Sequence, residues 1–177
     1  MKHDGTTVSE VSEPEWLPKL PRLRIPTKQQ GRATIGLRRV TYNQLVHIEQ
    51  TAILVDDYDS AIRFYVQVLG FELVEDSPSL TNDGRAKRWV IVRPPGAATG
   101  LLLAQADGDH QRAVVGAQFA GRVGLFLRVD DFDDTYRRIL DLGVEFLTEP
   151  RDEAYGRFAV FVDIAGNKWD LLGPRHQ

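Results

Sequence analysis

The chain has 177 residues, with 22 Lys and Arg against 25 Asp and Glu, a formal net charge of −3 and no cysteine. That length buries one substantial core or two small modules sharing an interface. The lack of cysteine excludes thiolate nucleophiles, disulfides and thiolate metal sites, and the small net charge gives no reason to expect a polyanionic partner.

Residues 1–44 read as an extension, partly disordered, because Pro14, Pro18, Pro21 and Pro26 interrupt helices and remove ladder donors. The plain reading is a solvated tail, with Trp16, Leu17 and Leu20 as candidate anchors in a groove. Its basic residues lack the interleaved aromatics of a nucleic-acid binder, so no nucleic-acid partner is expected. No apolar run approaches the roughly 20 residues of a bilayer span. Met1-Lys2-His3-Asp4-Gly5 is polar and lacks a secretory apolar segment, so a cytoplasmic protein with no membrane partner is expected.

Residues 45–177 form the second domain, and it repeats itself. Ile48–Val55 alternates as a strand, with Gln50, Ala52 and Leu54 on one face. Asp56 or Asp57 caps a helix whose apolar stripe is Ala61, Ile62, Tyr65, Val66 and Leu69, and Gly70 stops it. Strands over Phe71–Asp76, Trp89–Arg93 and Gly100–Gln105 complete the first module, 45–106. A crossover, 107–121, carries Asp107-Gly108-Asp109-His110 and either links the halves or forms a flap. The second module, 122–174, repeats the order: strand Val123–Val129, cap Asp130 or Asp131, helix Phe132–Leu142, stop Gly143. Strands Val144–Phe146, Arg157–Val162 and Lys168–Leu172 follow.

Each half is therefore βαβββ, and the fold class is α+β with paired modules. One helix covers one face of a four-stranded sheet and leaves the other open. Two open faces curl into a cup, the natural place for a ligand. By strand parity, Gln50, Leu54, Leu102, Phe126, Arg128, Lys168 and Asp170 face it. Trp89 and Trp169 are expected to pack in the core.

The pattern Val55-x-Asp57-x-x-x-Ala61-x-x-Phe64-Tyr65-x-x-x-Leu69-Gly70-Phe71, with Phe161-x-Asp163-x-x-Gly166-Asn167-x-x-Asp170-Leu171, resembles the vicinal oxygen chelate superfamily. That superfamily includes glyoxalase I, extradiol dioxygenases, and bleomycin and fosfomycin resistance proteins. The resemblance implies paired βαβββ modules. Metal-dependent members place four ligating side chains at positions that here carry Gln50, Leu102, Gly124 and Asp170. Leucine and glycine cannot donate, so no tightly bound metal and no other cofactor is expected. If a metal is present, Gln50, Asp170 and His110 are its candidate ligands.

The resemblance also makes the loop residues Tyr155 and Arg157 candidate ligand contacts and favours a homodimer. Asp170 is the candidate proton-transfer residue, since burial raises a carboxylate's proton affinity. The reading is a small-molecule-binding protein with a degenerate metal site, sequestering or resistance-like. The alternative is a divalent-metal-dependent lyase, isomerase or dioxygenase related to glyoxalase I.

Overall fold

The computed structural model describes residues 47–175, all within the unit Asn43–Gln177. The extension, with Trp16, Leu17, Leu20 and His3, and also His176, lie outside the described residues.

The first module runs β1 (Gln50–Val55), α1 (Tyr58–Arg63), β2 (Glu72–Leu80), β3 (Ala86–Arg93) and β4 (Gly100–Gln105). A short helix α2 (Gly108–Arg112) lies in the crossover. The second module runs β5 (Val123–Arg128), α3 (Phe132–Asp141), β6 (Arg151–Glu153), β7 (Gly156–Val162) and β8 (Lys168–Gly173). The sheets have matching orders, β1-β4-β3-β2 and β5-β8-β7-β6. In each, the first strand runs parallel to the last and the other pairs are antiparallel. Two βαβββ modules with mixed sheets are thus the architecture.

Both acidic turns cap as their composition implies. Asp57 accepts from the Ser60 N–H at 2.7 Å, and Asp131 from the Asp134 N–H at 2.9 Å. Helix α3 ends at Gly143, whose φ of 86° lets its N–H reach the Leu140 carbonyl while the Val144 N–H reaches Ile139. Helix α1 widens over Phe64–Val68 into a π turn, with the Leu69 N–H on the Phe64 carbonyl at 3.2 Å. Tyr58, Ala61, Tyr65 and Leu69 still point into the core.

Two strand expectations are corrected. The β2–β3 hairpin is longer than expected, because Thr81 closes it on the Arg85 carbonyl at 2.8 Å and Pro78 sits in edge strand β2, where its missing donor is tolerated. Val144–Phe146 forms no strand of its own. Phe146 makes one isolated bridge to Phe161, and the fourth strand resumes only at Arg151. The Thr148 hydroxyl accepts the Val160 N–H at 2.9 Å, and Pro150 has none to give.

One core joins the modules. Tyr65 and Phe71 from the first meet Trp169 from the second at centroid distances of 6.1 and 6.3 Å, and Trp169 stacks on Phe161. Within it lies a buried carboxylate. Asp163 accepts from the Tyr65 hydroxyl at 2.7 Å, the Trp169 indole at 2.9 Å, and the backbone N–H groups of Ala165 and Asn167. Burial, with the neighbouring Asp163 charge, pushes the Tyr65 phenol well above its usual range. A carboxylate so fully engaged is stable away from water, and here it fastens α1 to the β7–β8 turn.

Candidate functional site

The open face of the first sheet follows from its register. Ala52 pairs with Leu102 and Leu54 with Ala104 across β1 and β4, while Ile91 pairs with Leu102 across β3 and β4. Val90, Val92, Leu101 and Leu103 take the helix side and are buried. Alternation then sends Lys87, Trp89, Ile91 and Arg93 to the open side. A cavity of about 450 Å³ lies there, floored by Leu54, Leu102, Ala104 and Trp89. Thr81, Asn82 and Arg85 of the hairpin tip and Asp107 and Gln111 of the crossover form its rim.

Trp89 is a correction, since it borders the cavity rather than the core. Val90 and Val92 already fill the helix side of β3. Trp169, as expected, faces the helix and is buried.

The rim is held by charge. Arg85 pairs with Asp107 through both guanidinium nitrogens and with Asp83 at 2.8 Å, tying hairpin to crossover. The Arg85 guanidinium holds the Asp107 carboxyl below its usual range. Arg88 is likewise committed to Asp59 at 2.7 Å and Asp76 at 2.5 Å, on the helix side. Behind the cavity, the Gln118 side chain lies along the free edge of β1. Its oxygen accepts the Leu54 N–H at 2.9 Å, and its nitrogen donates to the Ala52 carbonyl at 2.8 Å.

The expected site residues divide between two sheets. Leu54 and Leu102 line the cavity, and Gln50 stands on the same face beyond it. Phe126, Lys168 and Asp170 stand on the second sheet, where Phe126 pairs with Asp170 and is 63% exposed. Lys168 donates to the Gly121 carbonyl at 3.0 Å. Arg128 borders a smaller groove of about 200 Å³ between the modules. Tyr155 is exposed beside Phe158. Arg157 lies elsewhere, on the helix side. It is ion-paired with Asp133 at 3.1 Å and Asp152 at 3.2 Å, over the Phe132 ring. His110 is exposed on α2.

Asp170 has one buried oxygen that no described residue hydrogen-bonds. Burial raises its carboxyl above the ordinary carboxylate range, against the opposing pull of Arg151.

The residues at the superfamily's metal positions do not fit a metal. Leu102 has no lone pair, and among the described residues no three His, Asp or Glu side chains gather as a ligand set. Gly124 is closed as well as empty-handed, since a Cβ there would stand 2.1 Å from the Phe119 ring. Phe119 is not among the expected site residues; an aromatic five residues before a glycine carries no signal of that contact.

The paired modules, the open-faced sheets and the cavity on one of them define a protein of the glyoxalase class of folds. The Glyoxalase/Bleomycin resistance protein/Dioxygenase superfamily matches residues 44–171, and the chain belongs to it. An uncharacterised protein of Shewanella frigidimarina (strain NCIMB 400) is 47% identical over 129 residues, covering 72% of this chain and 91% of that protein. Among solved structures, UcmS2 is similar with a TM-score of 0.60 and 29% identity, covering 73% of this chain and 98% of UcmS2. TnmS3, an antibiotic binding protein from Streptomyces sp. CB03234, has a TM-score of 0.59 and 31% identity, covering 75% of this chain and 99% of TnmS3.

Proposed function

We propose that the protein binds a small organic molecule on the open face of its first module, without a metal, as a sequestering or resistance-like protein. The cavity carries this reading. Its 450 Å³ falls within the size of small-molecule sites, and its lining combines Leu54, Leu102, Ala104 and Trp89 with polar groups that include Thr81, Lys87 and Gln111. The antibiotic binding of TnmS3, a structural relative at 31% identity, supports an organic ligand of that kind.

Trp89 makes the test direct. Titration with a panel of aromatic antibiotics should quench its fluorescence saturably, and the W89F variant should lose that signal while keeping its fold. Absence of saturable binding by calorimetry across the panel, or binding that W89A leaves unchanged, would count against the cavity as the site.

The proposal extends to a homodimer in which the partner's second sheet faces this cavity. Exposed Phe126 on that sheet and the unpartnered Asp170 oxygen support it. Asp170 is then a polar anchor for the ligand, and Asp170→Asn should weaken affinity by about 1–3 kcal/mol, the scale of a charge-assisted hydrogen bond. A monomer mass by light scattering, independent of concentration across the micromolar range, would refute the assembly.

A further inference from the structure

Arg93 ends β3 on the open face of the first sheet, and among the described residues none forms a hydrogen bond or ion pair with its side chain. Its Nε is buried and makes no hydrogen bond. Glu72 stands opposite it in the β2–β3 register, yet no ion pair joins the two. Arg85 and Arg88 are each committed to two aspartates, so Arg93 differs from both arginines at the cavity. A buried guanidinium nitrogen left unsatisfied in a folded chain is rare and calls for a reason.

Its neighbours supply one. A Cβ placed on Gly100 would lie 3.8 Å from the Arg93 Cβ and 3.1 Å from Ile91 Cγ2, which sets Gly100 on the open face beside Arg93. Gln50 pairs with Gly100 from the other side. The row Gln50, Gly100, Arg93 therefore crosses three strands with a gap at its middle, flanked by two side chains that offer N–H donors. Ile91, Leu102 and Ala52 continue the face as apolar floor. Trp89 follows four residues from Arg93, about 13 Å along the strand.

We propose that Gln50 and Arg93 form an anion subsite over Gly100, and that the ligand is an apolar organic acid. Its carboxylate sits in the slot and its apolar body lies over Ile91 and Leu102 toward Trp89. A planar guanidinium matches a carboxylate in geometry as well as charge, which a lysine does not. This inference rests on the reading of the first module's open face as the ligand site, and adds the ligand's class.

Two dyes with the same rings test it on the full-length protein. 8-Anilinonaphthalene-1-sulfonate carries an anionic oxygen group, and N-phenyl-1-naphthylamine is its uncharged counterpart. Arg93→Gln should weaken the sulfonate about tenfold, the scale of a charge-assisted hydrogen bond, and change the uncharged dye by less than about twofold. Arg93→Lys, which keeps the charge and loses the planar fork, should recover only part of the loss, and W89A should weaken both dyes. Circular dichroism and thermal melts keep misfolded variants out of the comparison. Equal weakening of both dyes by Arg93→Gln, or an unchanged sulfonate affinity, overturns the anion subsite while leaving the cavity reading standing. Failure of both dyes to bind the wild type overturns both readings.

Discussion

Replacing Asp163 with asparagine tests whether a buried carboxylate fastens the two modules. One Asp163 oxygen serves the β7–β8 turn through the Ala165 and Asn167 N–H groups. The other serves the Tyr65 hydroxyl, the Trp169 indole and, at 3.1 Å, the Asn167 amide. Asparagine keeps the shape but can present only one oxygen. If that oxygen stays with the turn, its NH2 group meets the Trp169 and Asn167 donors. Tyr65 can rotate its hydroxyl to accept, and the Asn167 amide can flip to present its own buried, unpaired oxygen, but the Trp169 N–H cannot adapt. One orphaned buried donor predicts a loss of about 1–3 kcal/mol. Tyr65→Phe removes one donor and orphans nothing, so it should cost about 1.5 kcal/mol. Urea unfolding at neutral pH measures both, and the double variant should lose about 1 kcal/mol less than their sum, because the residues share one network. A loss below about 1 kcal/mol for Asp163→Asn, or additivity within about 0.3 kcal/mol, would show that the network does not couple the modules.

The raised Tyr65 phenol implies alkaline sensitivity. The folded state holds that proton where the unfolded chain releases it near pH 10, so stability should fall as pH rises above about 10, and Tyr65→Phe should flatten the fall in denaturation curves. Asp170 has the same sign at lower pH. Its folded carboxyl is raised, so its charge opposes folding once pH exceeds the unfolded value. Asp170→Asn should therefore raise the melting temperature at pH 7, with the gain vanishing as pH falls below about 4. Gly124→Ala should cost about 1–3 kcal/mol through collision with Phe119, and Phe119→Ala in the same chain should recover part of it in chemical denaturation. A Gly124→Ala protein as stable as wild type would show that Phe119 does not close that position.

What the sequence made legible is what lies close along the chain. Asp57 and Asp131 cap helices three residues away, and Gly143 stops one within a single turn; such local chemistry reads directly. The repeat carried the module order for the same reason. The expected faces held in β1, where Ile53 and Val55 are buried and Ala52 and Leu54 are not, and failed at Trp89. The run Trp89-Val90-Ile91-Val92 is apolar on both faces, so only the packed structure decides which pair is buried. Asp163 stood in the family pattern, but its bond to Tyr65 spans 98 residues, and no local signal marks it. Thr148 and Pro150 broke the expected Val144–Phe146 strand through a side-chain acceptor and a missing donor, which an alternation count does not weigh. Arg93 passed unnoticed because a cation at a strand end is ordinary until its partners are seen to be missing.

The Gln118 amide on β1 has a consequence for how this chain meets other chains. An exposed strand edge is a template on which any extended peptide can lengthen the sheet. By offering one donor and one acceptor at the spacing a neighbouring backbone would use, Gln118 stands in for a fifth strand of that sheet, one residue long. Those two backbone groups of β1 are thereby closed to a further strand without burying more chain. Backbone accepts any sequence, so a closed edge leaves recognition to faces, where side chains discriminate.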